Sequence, residues 1–437
     1  MSDGQAAEVV ASSTSQFDGF DTVAATLEAA AESALRGDFC GIRTQQELFA
    51  DFRRVTPHAA RKTAGTFFTG TELSSRLFTS VPQTGVVLDP ACGIGDLLLS
   101  HALRLRPEKS LEGTLDSWGE RLLGRELEAP LVRVARARLA LAAAGQHRGG
   151  PRKFAKSRQQ LDAVLPGLQQ GDGLRTGPDV ARVQQILLNP PYTPTQAPPG
   201  CTWAAGRVSA AAVFVDHWLS AARPGSIISA ILPDVLRSGS RYTQWRARVE
   251  ARAIVDAVDV VGQFDPQTQI DVFVVRMKVR EAELCDASGR PWVSHTSGAT
   301  LGTLFRVSVG PLVDYREPNL GPWHPYIDVS RAVPWGEVND PRPFRRFRGR
   351  GIQPPFLVVR RTSSPHDRQR AIATLVTGTR PVAVENHLIV LEPFEEPLRT
   401  CRFGREILGQ ARTTEYLNSR IRCRHLTVDS VREIPLG

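Results

Sequence analysis

Hydrophobic positions follow two alternating patterns over the first two thirds of the chain. Short continuous apolar runs, typical of buried strands, alternate with stretches in which apolar residues recur at helical spacing. This alternation predicts an α/β fold, a Rossmann-like, mostly parallel sheet with helices on both faces and ligands at the carboxyl ends of the strands. The predicted strands are 86–89, 122–126, a short one ending at 172, 185–188, 226–232, 254–261 and 272–279, and the predicted helices are 22–35, 45–52, 72–78, 97–105, 130–144, 210–222 and 243–251.

The alternation stops near residue 283. Beyond it, proline, glycine and tryptophan separate short β-like segments such as 356–359 and 388–391. This change in pattern places a domain boundary there. The predicted parts are a disordered N-terminus of small and polar residues over 1–20, an α/β domain over 21–283 and a mixed α+β domain over 284–437.

Arginines are concentrated in the last third. The whole chain carries a net charge of +9, and residues 286–437 contain 22 arginines, no lysine and 15 acidic residues. Within 342–350 arginines alternate with phenylalanines, and Arg370 follows nearby. Such a cluster suits contacts with nucleic-acid phosphates, with Arg345, Arg346 and Arg348 as candidates. The alternative is an arginine-rich face that is merely solvated.

The cysteines exclude some kinds of site. All six are scattered, with no C-x-x-C pair, which indicates neither a zinc site nor a disulfide framework and favours a reducing compartment. Neither a signal peptide nor a run of about 18 apolar residues occurs. We therefore expect a cytoplasmic protein with no membrane contact and no metal.

Three acidic residues end three successive predicted strands. Asp89 begins a glycine turn that contains Ala91 and Gly93, where backbone can approach a ligand and the carboxylate can bind an ammonium. Glu126 can hold two ribose hydroxyls, and Asp172 can accept a hydrogen bond from an adenine amine. Singly, each is equally a solvated acid, a helix cap or part of a tight turn. Together they outline one crevice. The spacing between the first two exceeds that of dinucleotide folds, and we interpret 107–118 as an insertion.

The fourth predicted strand ends at Asn189-Pro190-Pro191-Tyr192. Adenine's exocyclic nitrogen is a poor nucleophile because its lone pair is delocalised into the ring. The Asn189 side-chain oxygen and the Pro190 carbonyl can each accept one amine hydrogen, which favours a pyramidal nitrogen aimed at a sulfonium methyl. The prolines hold both acceptors rigid, and Tyr192 offers a ring face to a base taken out of the stack. The alternative is a proline-rich turn that closes the strand and has no catalytic role.

In this order, these segments resemble the gamma-class amino-methyltransferases of DNA, especially the TaqI-type adenine-N6 enzymes. Gly65-Thr66-Phe67-Phe68-Thr69-Gly70 resembles the family's N-terminal cofactor motif, with proline in the family where Gly70 stands here. The resemblance covers roughly residues 60 to 280. It implies S-adenosylmethionine as cofactor, adenine in double-stranded DNA as target and a C-terminal domain that recognises the target.

The resemblance also implies roles for single residues. Thr69 meets the methionine carboxylate of the cofactor, Asp89 and Ala91 contact its methionine part, Glu126 its ribose and Asp172 its adenine, and Pro191 packs against it. Asn189 and Tyr192 hold and stack the target base, and Phe264 is the candidate for a second aromatic that stacks on it from a later strand region. The alternative for Phe264 is a loop aromatic that plugs the sheet.

Two other functions remain open. A protein glutamine-N5 methyltransferase also uses an Asn-Pro-Pro-Tyr motif, and a DNA-recognition subunit could keep the fold without catalysis. A fused nuclease of the common type needs a D/E-x-K element, and none of the five lysines has an acid two residues before it. In a restriction-modification or phage-defence system, we therefore expect any restriction or defence partner to be a separate chain.

Overall fold

The computed structural model describes residues 18–36, 69–78, 82–147, 161–265, 268–281, 291–293 and 298–437. The predicted helix 45–52 and most of the motif 65–70 lie outside these residues, as does the predicted disordered N-terminus apart from its last three residues. Those three begin a helix in which Phe20 is buried. The chain divides into two compact units. The first consists of Met1–Pro233, Gln244–Val261 and Val272–Arg290, and the second of Asp234–Thr243, Gly262–Asp271 and Pro291–Gly437.

The first unit is built on a seven-stranded sheet with the strand order β3-β2-β1-β4-β7-β9-β8. Strands β1 to β4 and β7 pair in parallel, and β9 runs antiparallel to β7. This is the strand order of the class I methyltransferase sheet, which confirms the predicted fold class. The strands are β1 Val86–Asp89, β2 Leu122–Glu126, β3 Leu168–Gln170, β4 Val183–Leu188, β7 Ile227–Pro233, β8 Ala253–Asp265 and β9 Thr268–Val279, and a separate two-stranded sheet contains β5 Pro194–Gln196 and β6 Arg207–Ser209.

Helices connect the parallel strands. Most of helix α4, Leu111–Arg121, lies within the region 107–118 that we interpreted as an insertion. The helix begins where the Ser110 side chain accepts a hydrogen bond from the Gly113 N–H, and it buries Leu115 and Trp118. Its apolar positions are few, so its helical period is weak in the sequence. The helices of the first unit are α1 Asp18–Arg36, α2 Gly70–Phe78, α3 Asp96–Ala102, α4 Leu111–Arg121, α5 Ala129–Gln146, α6 Leu161–Val164, α7 Ala210–Ala221 and α9 Thr243–Arg252, whereas the short helix α8 Asp234–Ser238 belongs to the second unit.

The second unit combines a five-stranded sheet, β10-β17-β14-β15-β12, with a three-stranded sheet, β13-β11-β16. Its strands are β10 Phe305–Val309, β11 Trp323–Ile327, β12 Glu337–Asn339, β13 Phe344–Arg346, β14 Phe356–Arg360, β15 Ala373–Thr377, β16 Ala383–Val384 and β17 Leu388–Pro393.

The sequence did not predict the helices of the second unit. In α11 the buried positions include Cys401 and Gly404, whose small side chains hide the apolar period. An added Cβ at Gly404 would lie 2.6 Å from the Phe305 ring, so glycine permits close packing of this helix on the sheet. Among the described helices, none is long and apolar enough to cross a membrane. The helices here are α10 Leu301–Leu304, α11 Pro397–Gly409, α12 Ala411–Arg420 and α13 Val428–Arg432.

Candidate active site

A cavity of about 470 Å³ lies in the first unit, where the chain leaves the ends of β1, β2, β3 and β4. Because these strands are parallel, their carboxyl ends meet at one edge of the sheet, and the strand order reverses between β1 and β4. The cavity lining brings together most of the residues singled out in the sequence, namely Thr69, Asp89, Ala91, Gly93, Glu126, Asp172, Asn189 and Pro191.

The carboxylates of Asp89 and Glu126 hold the turn after β1. Asp89, 2% exposed, accepts a hydrogen bond from the backbone N–H of Ala91 at 3.1 Å. Glu126 accepts from the N–H of Gly93 at 2.9 Å through Oε2, and from the N–H of Glu128 at 3.2 Å through Oε1. Gly93 adopts a φ of +52°, in the left-handed region that favours glycine.

Burial shapes the electrostatics of these acids. Loss of solvation is the main cause that raises the pKa of Asp89 from 3.8 to about 8. The nearby Glu126 and Asp96 carboxylates act in the same direction, and the hydrogen bond from Ala91 opposes them. Loss of solvation also raises the pKa of Glu126. Two partly desolvated carboxyl groups side by side favour a ligand that brings positive charge and hydroxyl donors.

The third acid lies in a loop, because β3 ends at Gln170 and not at the predicted residue 172. This loop packs against the turn after β1. Asp172 is exposed, and its Oδ1 accepts from the Leu174 N–H at 2.9 Å. At Gly173 a Cβ would lie 1.8 Å from the Pro90 carbonyl oxygen, so only glycine lets the loop approach the β1 turn this closely. The Asp172 carboxylate therefore stands at the cavity wall beside that turn.

The Asn189 amide is hydrogen-bonded at both ends. Its Nδ2 donates to Thr69 Oγ1 at 2.9 Å, and its Oδ1 accepts from the Tyr192 hydroxyl at 2.9 Å. That hydroxyl also lies 3.3 Å from the Ile231 carbonyl oxygen, and its burial raises the pKa of Tyr192 well above 10. Pro190 is buried, and Pro191 is half-buried at the cavity wall.

Two of the lining residues that sequence reasoning missed bear on the chemistry of the site. Leu127 directly follows Glu126 and is 62% exposed, although leucine favours burial. The sequence did contain a signal for Leu127, because it is an apolar residue directly after Glu126, the candidate for ribose binding. Asp96, at the start of α3, accepts from the Thr69 backbone N–H at 2.9 Å and pairs with Arg138 at 2.8 Å. Nothing in the local sequence marks this acid, because its partners lie 27 and 42 residues away.

The remaining predicted site residues belong to the second unit. Phe264 is half-buried and lies within strand β8, which runs to Asp265 instead of ending at the predicted residue 261, so the alternative of a loop aromatic was wrong. Its role as the second stacking residue stays a prediction. Arg345 is 19% exposed, forms an ion pair with Asp314 and donates to the Glu317 carbonyl oxygen at 3.1 Å. Arg346 and Arg348 are exposed.

The basic surface includes an aromatic residue that the sequence did not single out. The Arg346 guanidinium lies 5.3 Å from the centroid of the Trp323 ring, and Trp323 is 59% exposed. Arg370, by contrast, is fully buried and donates to the carbonyl oxygens of Ile421 and Cys423, so its place in a phosphate-binding cluster was wrong. Burial lowers the pKa of this guanidinium to about 10.

No family model and no curated protein matches the chain. Solved structures resemble it at low identity. The type IIL restriction-modification enzyme MmeI in complex with DNA is 13% identical, with 89% of this chain and 65% of that one covered and a TM-score of 0.48. The type IIG restriction endonuclease BpuSI is 11% identical, with 97% of this chain and 71% of that one covered and a TM-score of 0.44.

A methyltransferase subunit of a type I restriction-modification system from Streptococcus thermophilus is 16% identical, with 52% of this chain and 45% of that one covered and a TM-score of 0.32. These scores are low, and the fold assignment rests on the strand order and on the reversed strand β9.

The raised pKa of Asp89 makes a prediction about stability. Between pH 3.8 and about 8 the folded protein keeps a proton that the unfolded chain has lost, so this group's contribution to stability is complete below the lower value and is lost as pH rises through the higher one. In Asp89→Asn this dependence is absent. The variant's free energy of unfolding, relative to wild type, should rise between about pH 5 and pH 8, by up to about 1.4 kcal/mol per pH unit. Urea unfolding measures it, and a constant difference would contradict the assignment.

Proposed function

We propose that the chain is a site-specific DNA methyltransferase that transfers a methyl group from S-adenosylmethionine to the N6 amine of an adenine flipped out of duplex DNA. The observation that carries the proposal is the Asn189 amide. It is fixed by two hydrogen bonds and lines the same cavity as three acids that follow three neighbouring strands.

The cavity fits this cofactor in size and donor set. About 470 Å³ lies within the range of small-molecule sites, which is roughly 300–1,000 Å³. Asp89 would bind the methionine ammonium, Glu126 the ribose hydroxyls and Asp172 the adenine amine. Leu127 would cover an apolar face of the adenine, which gives its exposed side chain a partner. The bound cofactor supplies an electrophilic methyl group on a sulfonium.

The chain's own residues then prepare the nucleophile. Asn189 Oδ1 and the Pro190 carbonyl oxygen each accept one hydrogen of the target amine, which draws the nitrogen towards a pyramidal geometry. An amide oxygen has two acceptor lone pairs, so Oδ1 can bond to both the Tyr192 hydroxyl and the amine. The Tyr192 hydroxyl is engaged by Asn189 Oδ1 and lies 3.3 Å from the Ile231 carbonyl oxygen, so the ring would be the part of this side chain that is offered to the base. Rigid placement of both acceptors supplies the rate enhancement.

The second unit, which contains most of residues 284–437, is proposed to recognise the target. Arg346 and Arg348 are exposed and would contact phosphates, whereas Arg345 would hold this segment through Asp314. Phe264 remains the candidate for the second aromatic on the flipped base. We also propose that the protein acts in the cytoplasm as part of a restriction-modification or phage-defence system, in which any nuclease is a separate chain.

Label transfer tests the proposed function. Purified protein is incubated with methyl-tritiated cofactor and with duplex DNA of mixed sequence, and radioactivity is counted separately in DNA and in protein. We expect label in DNA. Label in protein would favour glutamine methylation, and DNA binding without any transfer would favour a recognition subunit; either result would contradict the proposal.

Replacing Asn189 by alanine removes one of the two acceptors. Under single-turnover conditions Asn189→Ala should transfer methyl groups about 100-fold more slowly or worse, because the amine loses its orientation. Cofactor affinity, measured by titration calorimetry, should change by only a few-fold, since the proposed cofactor contacts remain. A transfer rate close to wild type would refute the role of this amide.

The arginine surface makes a separate prediction. Replacing Arg346 and Arg348 together by alanine should weaken DNA binding and reduce the salt slope of log K by about 2, because each lost phosphate contact accounts for about 0.9. As matched control, alanines at Arg399 and Arg402, both exposed on α11, remove the same charge elsewhere in the second unit. Equal slopes for the two double variants would show that Arg346 and Arg348 face solvent.

A further inference from the structure

The hydrogen bonds around Asn189 determine more than its position. The two ends of a side-chain amide have nearly the same shape, so only the partners decide which end is the oxygen. Here Asn189 Nδ2 donates to the Thr69 hydroxyl at 2.9 Å, and Oδ1 accepts from the Tyr192 hydroxyl at 2.9 Å. Both partners are hydroxyls, which can donate or accept, so this orientation is selected when the Thr69 hydrogen goes to another acceptor and its oxygen is left to accept from the amide nitrogen.

Thr69 is itself held in place by an ion pair that is largely shielded from water. Its side chain is 6% exposed, and its backbone N–H donates to Asp96 Oδ2 at 2.9 Å. The other carboxylate oxygen of Asp96 accepts from Arg138 at 2.8 Å, and Arg138 also donates to the Ile94 carbonyl oxygen at 2.6 Å. The Asp96 and Arg138 side chains are each 12% exposed, so these charge-assisted bonds are largely shielded from water.

We propose that Thr69 is a positioning residue whose hydroxyl keeps the Asn189 amide oxygen available to the target amine, and that the Asp96–Arg138 pair holds Thr69 for this purpose. Without the hydroxyl, the amide nitrogen loses its acceptor and can exchange places with the oxygen. Its N–H groups would then face the hydrogens of the amine. The inference rests on the proposed function, since that function is what requires an acceptor there.

This role is compatible with the predicted contact between Thr69 and a cofactor carboxylate. A hydroxyl can accept one hydrogen bond and still donate its own hydrogen. Thr69 can thus accept from Asn189 Nδ2 while it donates to a carboxylate in the cavity, which it lines. Cofactor binding and orientation of the amide would then share one hydroxyl.

The first test observes the amide without any activity. The chain contains five asparagines, so labelling with side-chain [15N]asparagine gives five amide signals, and Asn189→Asp identifies the one from Asn189. In wild type we expect one Asn189 amide proton to exchange slowly with solvent, because it is bonded to Thr69. Thr69→Val should abolish this protection, and Thr69→Ser should keep it.

The second test measures transfer at saturating cofactor. Thr69→Val should lower the single-turnover rate by about 10-fold or more, leaving the KM for DNA nearly unchanged, since the base is bound but badly oriented. Thr69→Ser should restore the rate. Asp96→Asn should lower it as well, because one of its two acceptor oxygens becomes a donor that faces Thr69 or Arg138.

A matched control separates positioning from the general loss of a buried hydroxyl. Thr114, 1% exposed in α4, accepts from the Glu108 N–H at 2.9 Å and contacts His147 at 2.8 Å, and it does not line the cavity. Thr114→Val should affect stability and leave both the Asn189 signal and the transfer rate unchanged.

The outcomes distinguish this inference from the proposed function. Unchanged amide protection in Thr69→Val would overturn the inference whether or not the protein methylates DNA. A wild-type protein that transfers no methyl to DNA but shows the expected amide pattern would refute the function and leave the orientation of Asn189 established. Equal transfer rates in Thr69→Val and Thr69→Ser would also overturn the inference.

Discussion

Parallel pairing of four strands is the constraint on which the site depends. Because β3, β2, β1 and β4 all run in one direction, the residues that follow them emerge at one edge of the sheet. Three acids and an asparagine, spread over about a hundred residues of sequence, thereby come to line a single cavity. Each loop supplies one group, and the chemistry requires that they act together.

The cavity combines two electrostatic environments. Around Asp89 and Glu126, burial raises the pKa of both carboxyl groups. The ionised carboxylates are therefore unfavourable there as long as no ligand replaces the lost solvation. A positively charged ligand would offset that cost. Around Asn189 the groups are neutral and are oriented by hydrogen bonds. We infer that the first environment selects the cofactor and the second orients the base, with Thr69 shared between them.

Local sequence patterns sufficed for the order and approximate position of the strands in the sheet. They also sufficed for Asp89 and Asn189, because β1 and β4 each end in a short apolar run with a polar residue directly after it. They did not suffice where long-range contacts decide. Thr69 and Asn189 are 120 residues apart, so their hydrogen bond has no local signature. Arg345 and Arg370 look alike in the sequence, yet the first pairs with Asp314 and the second is buried.

The chemical identity of the product tests the central claim most directly. Duplex DNA incubated with the wild-type protein and S-adenosylmethionine is digested to nucleosides, and the methylated nucleosides are separated and identified by mass spectrometry. A clamp for an exocyclic adenine amine predicts N6-methyldeoxyadenosine as the product. Methylation at carbon 5 of cytosine, or DNA that remains unmethylated while the cofactor binds, would contradict the account.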